Sequence, residues 1–113
     1  MKLKPVVNGS GMIMGYVFYC PGCKHAHVFY TAGLKIWGFN GDLLQPTFTP
    51  SLLNRCPDHT DLTKRSCHLN LTLGQLHFHN DCSHELAGKD VALPEWPWDT
   101  AFAQSEPEKV YLP

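Results

Sequence analysis

The sequence lacks any apolar run long enough to cross a membrane, and no helical span of that kind is expected. It lacks a basic stretch: nine Lys and Arg stand against ten Asp and Glu, for a formal charge of -1. Nothing here would lay a positive stripe along a phosphate backbone, which argues against nucleic acid as a partner. There is no glycine-rich phosphate loop and no nucleophile-elbow pattern. Lys2 and Lys4 are followed by Pro5, Asn8, Gly9 and Gly11, which interrupt what a secretion signal would need as a continuous apolar segment. The expected location is therefore the cytoplasm. At 113 residues and 12.7 kDa the chain has room for one domain over 1–113, too small to hold much spare stability from packing alone.

What is abundant is punctuation and metal-ligating chemistry. Nine Pro and nine Gly cut the chain into short pieces bounded by turns, so long helices are excluded and the predicted class is mostly β. Met12 to Tyr19 reads as a strand running into Cys20, and Ala26 to Thr31 as its antiparallel partner. Leu34 to Phe39 leads into Asn40-Gly41, a pair suited to a type I′ turn, with Asp42 to Leu44 as the return arm. Pro46 and Pro50 bracket Thr47-Phe48-Thr49, and because proline cannot donate to a ladder this piece is predicted at a sheet edge. Asn54 to Ser66, with Cys56 and His59, reads as a surface loop.

Cys67 to Asn80 gives the clearest local prediction, a hairpin turning at Leu73-Gly74. Thr72 then faces Gln75, Asn70 faces His77 and His68 faces His79. Cys67, Leu69, Leu71, Leu76, Phe78 and Asn80 share the buried side, and His68, His77 and His79 share the other. Asp81 to Ala87 is predicted to make one helical turn ending at Gly88, and Val91 to Pro94 to be extended. An irregular tail from about residue 95 contains Trp96 and Trp98.

Five cysteines is an odd number, and a chain without a secretion signal normally keeps its thiols reduced, so metal binding is the better use for them. All seven histidines lie between residues 25 and 84, over nearly the span of the cysteines. Cys20-Pro21-Gly22-Cys23 is a tight turn that aims both sulfurs at one ion, with Gly22 expected to accept the backbone angles involved. A redox dithiol would need these cysteines at the start of a helix, and Lys24 to Tyr30 looks like strand instead. A later cluster, Cys67-His68 with Cys82-x-His84, gathers more ligands at the open end of the hairpin. Parity selects Cys67 as third ligand and leaves Cys82 and His84 competing for the fourth place, with His27 near the knuckle either a supporting group or simply part of the strand surface. A closed zinc site of this kind contributes about 10 to 16 kcal/mol of apparent binding free energy. His68, His77 and His79, with Asp81, define a second and sharper possibility, an open catalytic metal, against the plain reading of a solvated sheet face.

The series Cys20-Pro-Gly-Cys23-x-x-x-His27, Trp37-x-Phe39-Asn40-Gly41-Asp42, Pro46-Thr47-Phe48-x-Pro50-Ser51, Cys67-His68, Gly74, Asp81-Cys82-x-His84-x-Leu86-Ala87-Gly88 and Leu93-Pro94 resembles a family of small phage and prophage proteins without established function, whose members often bear the label "ammonia monooxygenase". That label does not suit a chain of this length without membrane segments. The resemblance implies that Cys67-His68 and the Asp81-x-x-His84 unit recur, while serine can replace Cys82, so His84 is the implied fourth ligand. The expected metal set is Cys20, Cys23, Cys67 and His84 around zinc. His77 and His79 stand outside the pattern.

The function expected from these observations is that of a zinc-stabilised phage or prophage accessory protein, non-enzymatic, acting by contact with a host or phage protein. Trp37 to Ser51 and Trp96/Trp98 would supply aromatic surface for that contact, or core. Two alternatives follow from the same residues. One is a zinc-dependent hydrolase with His68, Asp81 and His84 at an open metal. The other is a zinc-ribbon nucleic-acid binder using Lys24, Lys35, Arg55, Lys64 and Arg65.

Overall fold

The computed structural model describes residues 2–54 and 66–97. Cys56, His59, Trp98, Arg55, Lys64 and Arg65 lie outside the described residues. Among those described there are eight strands and no helix: β1 Lys4–Val7, β2 Ile13–Cys20, β3 His25–Tyr30, β4 Gly38–Phe39, β5 Phe48–Asn54, β6 Cys67–Thr72, β7 Gln75–Phe78 and β8 Asp90–Ala92. They form a three-stranded sheet, β1-β2-β3, and a five-stranded sheet, β4-β5-β6-β7-β8, with every pairing antiparallel. The mostly β class read from the sequence is the class observed.

Alternation along the strands sorts the side chains. In β2 and β3, Phe18, Cys20, His27 and Phe29 are buried on the inner face, while Val17 packs on the outer face against Val6 and Trp96. The inner faces of the two sheets meet through a row of rings. Phe18 stacks on Phe29 at 5.3 Å, Phe29 on Phe48 at 4.3 Å and Phe48 on Phe39 at 4.5 Å. Trp37 meets Phe29 edge-on at 5.9 Å, so the aromatics of the Trp37 to Ser51 stretch pack against the core. Such pairs contribute about 0.5–1.5 kcal/mol each beyond the area they bury. Trp96 is also buried, which removes it from the expected contact surface.

The hairpin of β6 and β7 forms in the predicted register, Thr72 opposite Gln75 and Asn70 opposite His77, and Leu73 and Gly74 both take positive φ, 48° and 80°. Cys67, Leu69, Leu71, Leu76 and Phe78 are buried, as their parity requires. Asn80, expected with them, is exposed in the turn that follows.

Three local expectations are corrected. Asp42 to Leu44 makes no return arm: the Asn40 side chain accepts from the N–H groups of Asp42 and Thr47, and Asp42 accepts from those of Leu44 and Gln45. These two side chains satisfy a wider loop, and the chain pairs again only at Phe48. The Pro-bracketed segment is not an edge, because β5 lies between β4 and β6. It accommodates Pro50 by bulging: Phe48 pairs with Leu71 and Leu52 with Leu69, so four steps on β5 match two on β6. In place of a helical turn, residues 81–88 form successive turns, with Ala87 N–H bonded to His84 O at 3.2 Å and Lys89 N–H to Leu86 O at 3.0 Å.

Candidate functional site

Two clusters of chemistry sit back to back on this frame. The first joins the sheets. Cys20 ends β2, Cys23 follows in the knuckle, Cys67 opens β6, and His84 lies in the turn after β7; their ligand atoms all fall within 4.8 Å of one another. Neither Cys82 nor His68 belongs to this group. The knuckle is drawn tight by the Cys23 N–H, which donates to the Cys20 sulfur at 3.4 Å, and by the Lys24 N–H, which donates to Cys20 O at 2.8 Å. The backbone angle expected of Gly22 falls instead on Lys24, at φ 62°. Gly22 is needed for another reason: a Cβ there would overlap the His84 imidazole.

Three sulfurs and one imidazole suit zinc, whose tetrahedral geometry allows a distance check. Zn–S bonds near 2.3 Å place two sulfurs about 3.8 Å apart, and a Zn–N bond near 2.05 Å places sulfur and nitrogen about 3.6 Å apart. Cys20 Sγ and Cys67 Sγ are separated by 3.8 Å, and Cys67 Sγ and His84 Nε2 by 3.4 Å. One feature resists metal. His84 Nδ1 accepts from the Leu86 N–H at 3.2 Å, so ligation through Nε2 moves a proton to Nδ1 and displaces that bond.

His27 holds the supporting place. It is 2 % exposed, and the Asn54 amide lies 2.7 Å from its Nδ1. With Asn54 donating there, the imidazole proton sits on Nε2 and is given to the Cys20 sulfur. The bond from the Cys67 thiol is the main cause that makes Cys20 more acidic than an ordinary thiol. Burial opposes it, and the bonds from His27 and the Cys23 N–H reinforce it. The same shared proton, with burial and the Cys20 charge, drives Cys67 well above the thiol range.

The second cluster lies on the opposite face of the five-stranded sheet. Because successive residues of a strand point to opposite faces, Cys67 turns into the first cluster and His68 turns out. His68 Nε2 is 3.0 Å from Ser51 Oγ, and His68 Nδ1 is 3.3 and 3.2 Å from the two carboxylate oxygens of Asp81. Asp81, ionised, can only accept, so Nδ1 carries the proton; Nε2 of the neutral ring is then the acceptor and the Ser51 hydroxyl donates to it. This is the connectivity of a Ser-His-Asp triad. The bulge in β5 sets Ser51 off the ladder, and the Trp37 indole N–H holds its carbonyl at 3.2 Å.

His68 is fixed on its remaining sides. His79 stacks on its ring at 3.9 Å between centroids and 12° between planes, and His79 Nε2 donates to Asn70 Oδ1 at 2.7 Å. The His68 N–H donates to Cys82 Sγ at 3.3 Å, and the Cys82 thiol donates to His68 O at 3.2 Å. His77 pairs with Asp90 at 2.9 Å. The face of His68, His77 and His79 is thus three imidazoles with separate partners, and no metal grouping among the described residues includes them. The alternative trio of His68, Asp81 and His84 is likewise divided, His84 to the cysteines and the other two to Ser51.

Sequence reading set His68 and Asp81 with His84 at a metal and did not single out Ser51, which the structure brings to His68. The signal available was the order Pro50-Ser51, Cys67-His68, Asp81. Without a glycine elbow, only the β5–β6 register brings the serine to the imidazole. No curated protein and no solved structure matches the chain. One family model matches residues 3–79 of the 113, which takes in Ser51 and His68 and stops short of Asp81 and His84. On that match, the chain belongs to the family described as bacterial ubiquitination-like system serine protease (BubE).

Proposed function

We propose that this protein is a serine hydrolase of the protease type, with Ser51 as nucleophile, His68 as general base and then general acid, and Asp81 as the group that holds the imidazole tautomer. The observation that carries the reading is the unbroken series Ser51 Oγ, His68 Nε2, His68 Nδ1 and Asp81, at 3.0 Å and then 3.2 Å. The printed description of the family, a serine protease of a bacterial ubiquitination-like system, supports it.

In this reading Ser51 attacks a carbonyl carbon while its proton passes to His68 Nε2. The imidazolium, stabilised by Asp81, returns that proton to the leaving group, and an acyl-Ser51 ester remains until water attacks it by the reverse path. Asp81 has 64 % of its side chain exposed, so solvent screens its support of the imidazolium. The metal enters no step. We assign zinc to Cys20, Cys23, Cys67 and His84 as a clamp, because Cys67 adjoins His68 and His84 follows Asp81 by three residues. A cytoplasmic, phage-linked bacterial setting is part of the same proposal.

The non-enzymatic accessory reading rested on the want of a reaction centre, and the Ser51 array removes that ground. The test is mechanism-based labelling. A fluorophosphonate should add to Ser51 in the wild type and not in Ser51→Ala or His68→Ala variants that keep the fold. A folded, metal-loaded wild type that stays unlabelled would count against the proposal.

A further inference from the structure

Among the described residues, the edge of the five-stranded sheet beside Ser51 is open at one residue. β4 covers β5 only at Phe48 and Thr49. Trp37 then turns away, its N–H bonded to Tyr30 O at 2.8 Å, while its indole occupies the Ser51 carbonyl. Register fixes where the next backbone groups point. His68 O accepts from the His79 N–H at 2.8 Å, so the His68 backbone faces the β7 side. Direction alternates along a strand, so Leu69 and Cys67 face β5, where they meet Leu52 and Asn54. Leu53, opposite His68, therefore turns its N–H and C=O away from β6, along the edge that β4 does not reach. Among the described residues neither group has a hydrogen bond. Leu53 is 54 % exposed and shares the sheet face of His68.

We propose that this edge binds the substrate as an extended peptide, one residue of which pairs with Leu53 through both backbone groups. The donor and acceptor of Leu53 are spaced as in a ladder, and strand addition to such an edge draws affinity from main-chain bonds. Leu53 is two residues from Ser51, about 7 Å along the strand. The paired substrate residue is thus close enough to the nucleophile for the bond to be cut to lie within the same extended segment. The Leu53 side chain offers that segment an apolar contact. The inference rests on Ser51 being the nucleophile and adds the substrate class, a peptide in extended form.

The test compares the labelling rates of a small alkyl fluorophosphonate and a tripeptidyl phosphonate in the metal-loaded wild type, Leu53→Ala and Leu53→Pro. Proline deletes the outward N–H and no ladder bond, and alanine keeps the backbone. The wild type should prefer the peptidyl probe. Leu53→Pro should lose about tenfold of that preference, the worth of one hydrogen bond, and keep its rate with the small probe. Leu53→Ala should lose less than about threefold. An unchanged preference in Leu53→Pro, or none in the wild type, overturns the inference while leaving Ser51 reactivity intact. Failure of the small probe to label the wild type overturns the proposed function and this inference together. Should Leu53→Pro not fold, peptidyl probes methylated at each amide in turn decide with the wild type: a drop at one position supports pairing, and none at any position refutes it.

Discussion

Gly22→Ala adds a single methyl in the knuckle, and its effect follows from the geometry there. The new Cβ would overlap three atoms of the His84 imidazole. To regain ordinary van der Waals separation the ring must withdraw by on the order of 1 Å. A metal–ligand bond tolerates deviations of only about 0.2 Å, so that withdrawal takes Nε2 out of coordination. Gly22 is not among the residues with positive φ, so alanine imposes no backbone strain and the effect acts through His84 alone. Outer-shell changes cost about 10–100-fold in metal affinity, and loss of a ligand should cost at least about 100-fold, or about 2.7 kcal/mol. Zinc competition against a chromophoric chelator, on reduced protein, measures it. Because His84 shares its turn with Asp81, Ser51 labelling should slow in parallel. Affinity within about threefold of wild type would refute the reasoning.

Further outcomes follow from the same contacts. Replacing His68 with alanine should slow Ser51 labelling by about 10²–10⁴-fold with bound metal unchanged, checked by intact mass and metal analysis on one sample. His27→Leu removes the proton given to the Cys20 sulfur and should weaken zinc by about 10–100-fold, with Asn54→Leu reproducing part of the loss. In the metal-free chain Cys67 is raised and holds its proton at neutral pH, so binding must expel it. Zinc affinity should then rise about tenfold per pH unit for each proton displaced, and a pH-independent affinity would be inconsistent with that proton.

The parts legible in the sequence were those governed by period and turn chemistry. Leu73-Gly74 set the β6–β7 register, and that register put Cys67 inward and His68 outward. Cys20-Pro21-Gly22-Cys23 announced the knuckle because its spacing is local. Ser51 was not legible, since its position depends on a bulge that accommodates Pro50 and on long-range pairing with β6. A serine also carries no signal of its own beside an imidazole distant in sequence. The Asn40–Asp42 loop misled for a related reason: Asn-Gly suggests a tight hairpin, but Asn40 and Asp42 spend their side chains on a wider turn. The helix expected near Gly88 failed because the Ser83 N–H bonds to Ser66 O at 2.9 Å, fixing that segment to the start of β6.

The most direct measurement is intact-mass analysis of the reduced, zinc-loaded chain after exposure to a fluorophosphonate, with the adduct mapped by peptide sequencing. One adduct, on Ser51, lost in Ser51→Ala and strongly slowed in His68→Ala, is the predicted result. A folded, metal-loaded chain that takes no adduct, or takes it at another serine, would contradict the triad.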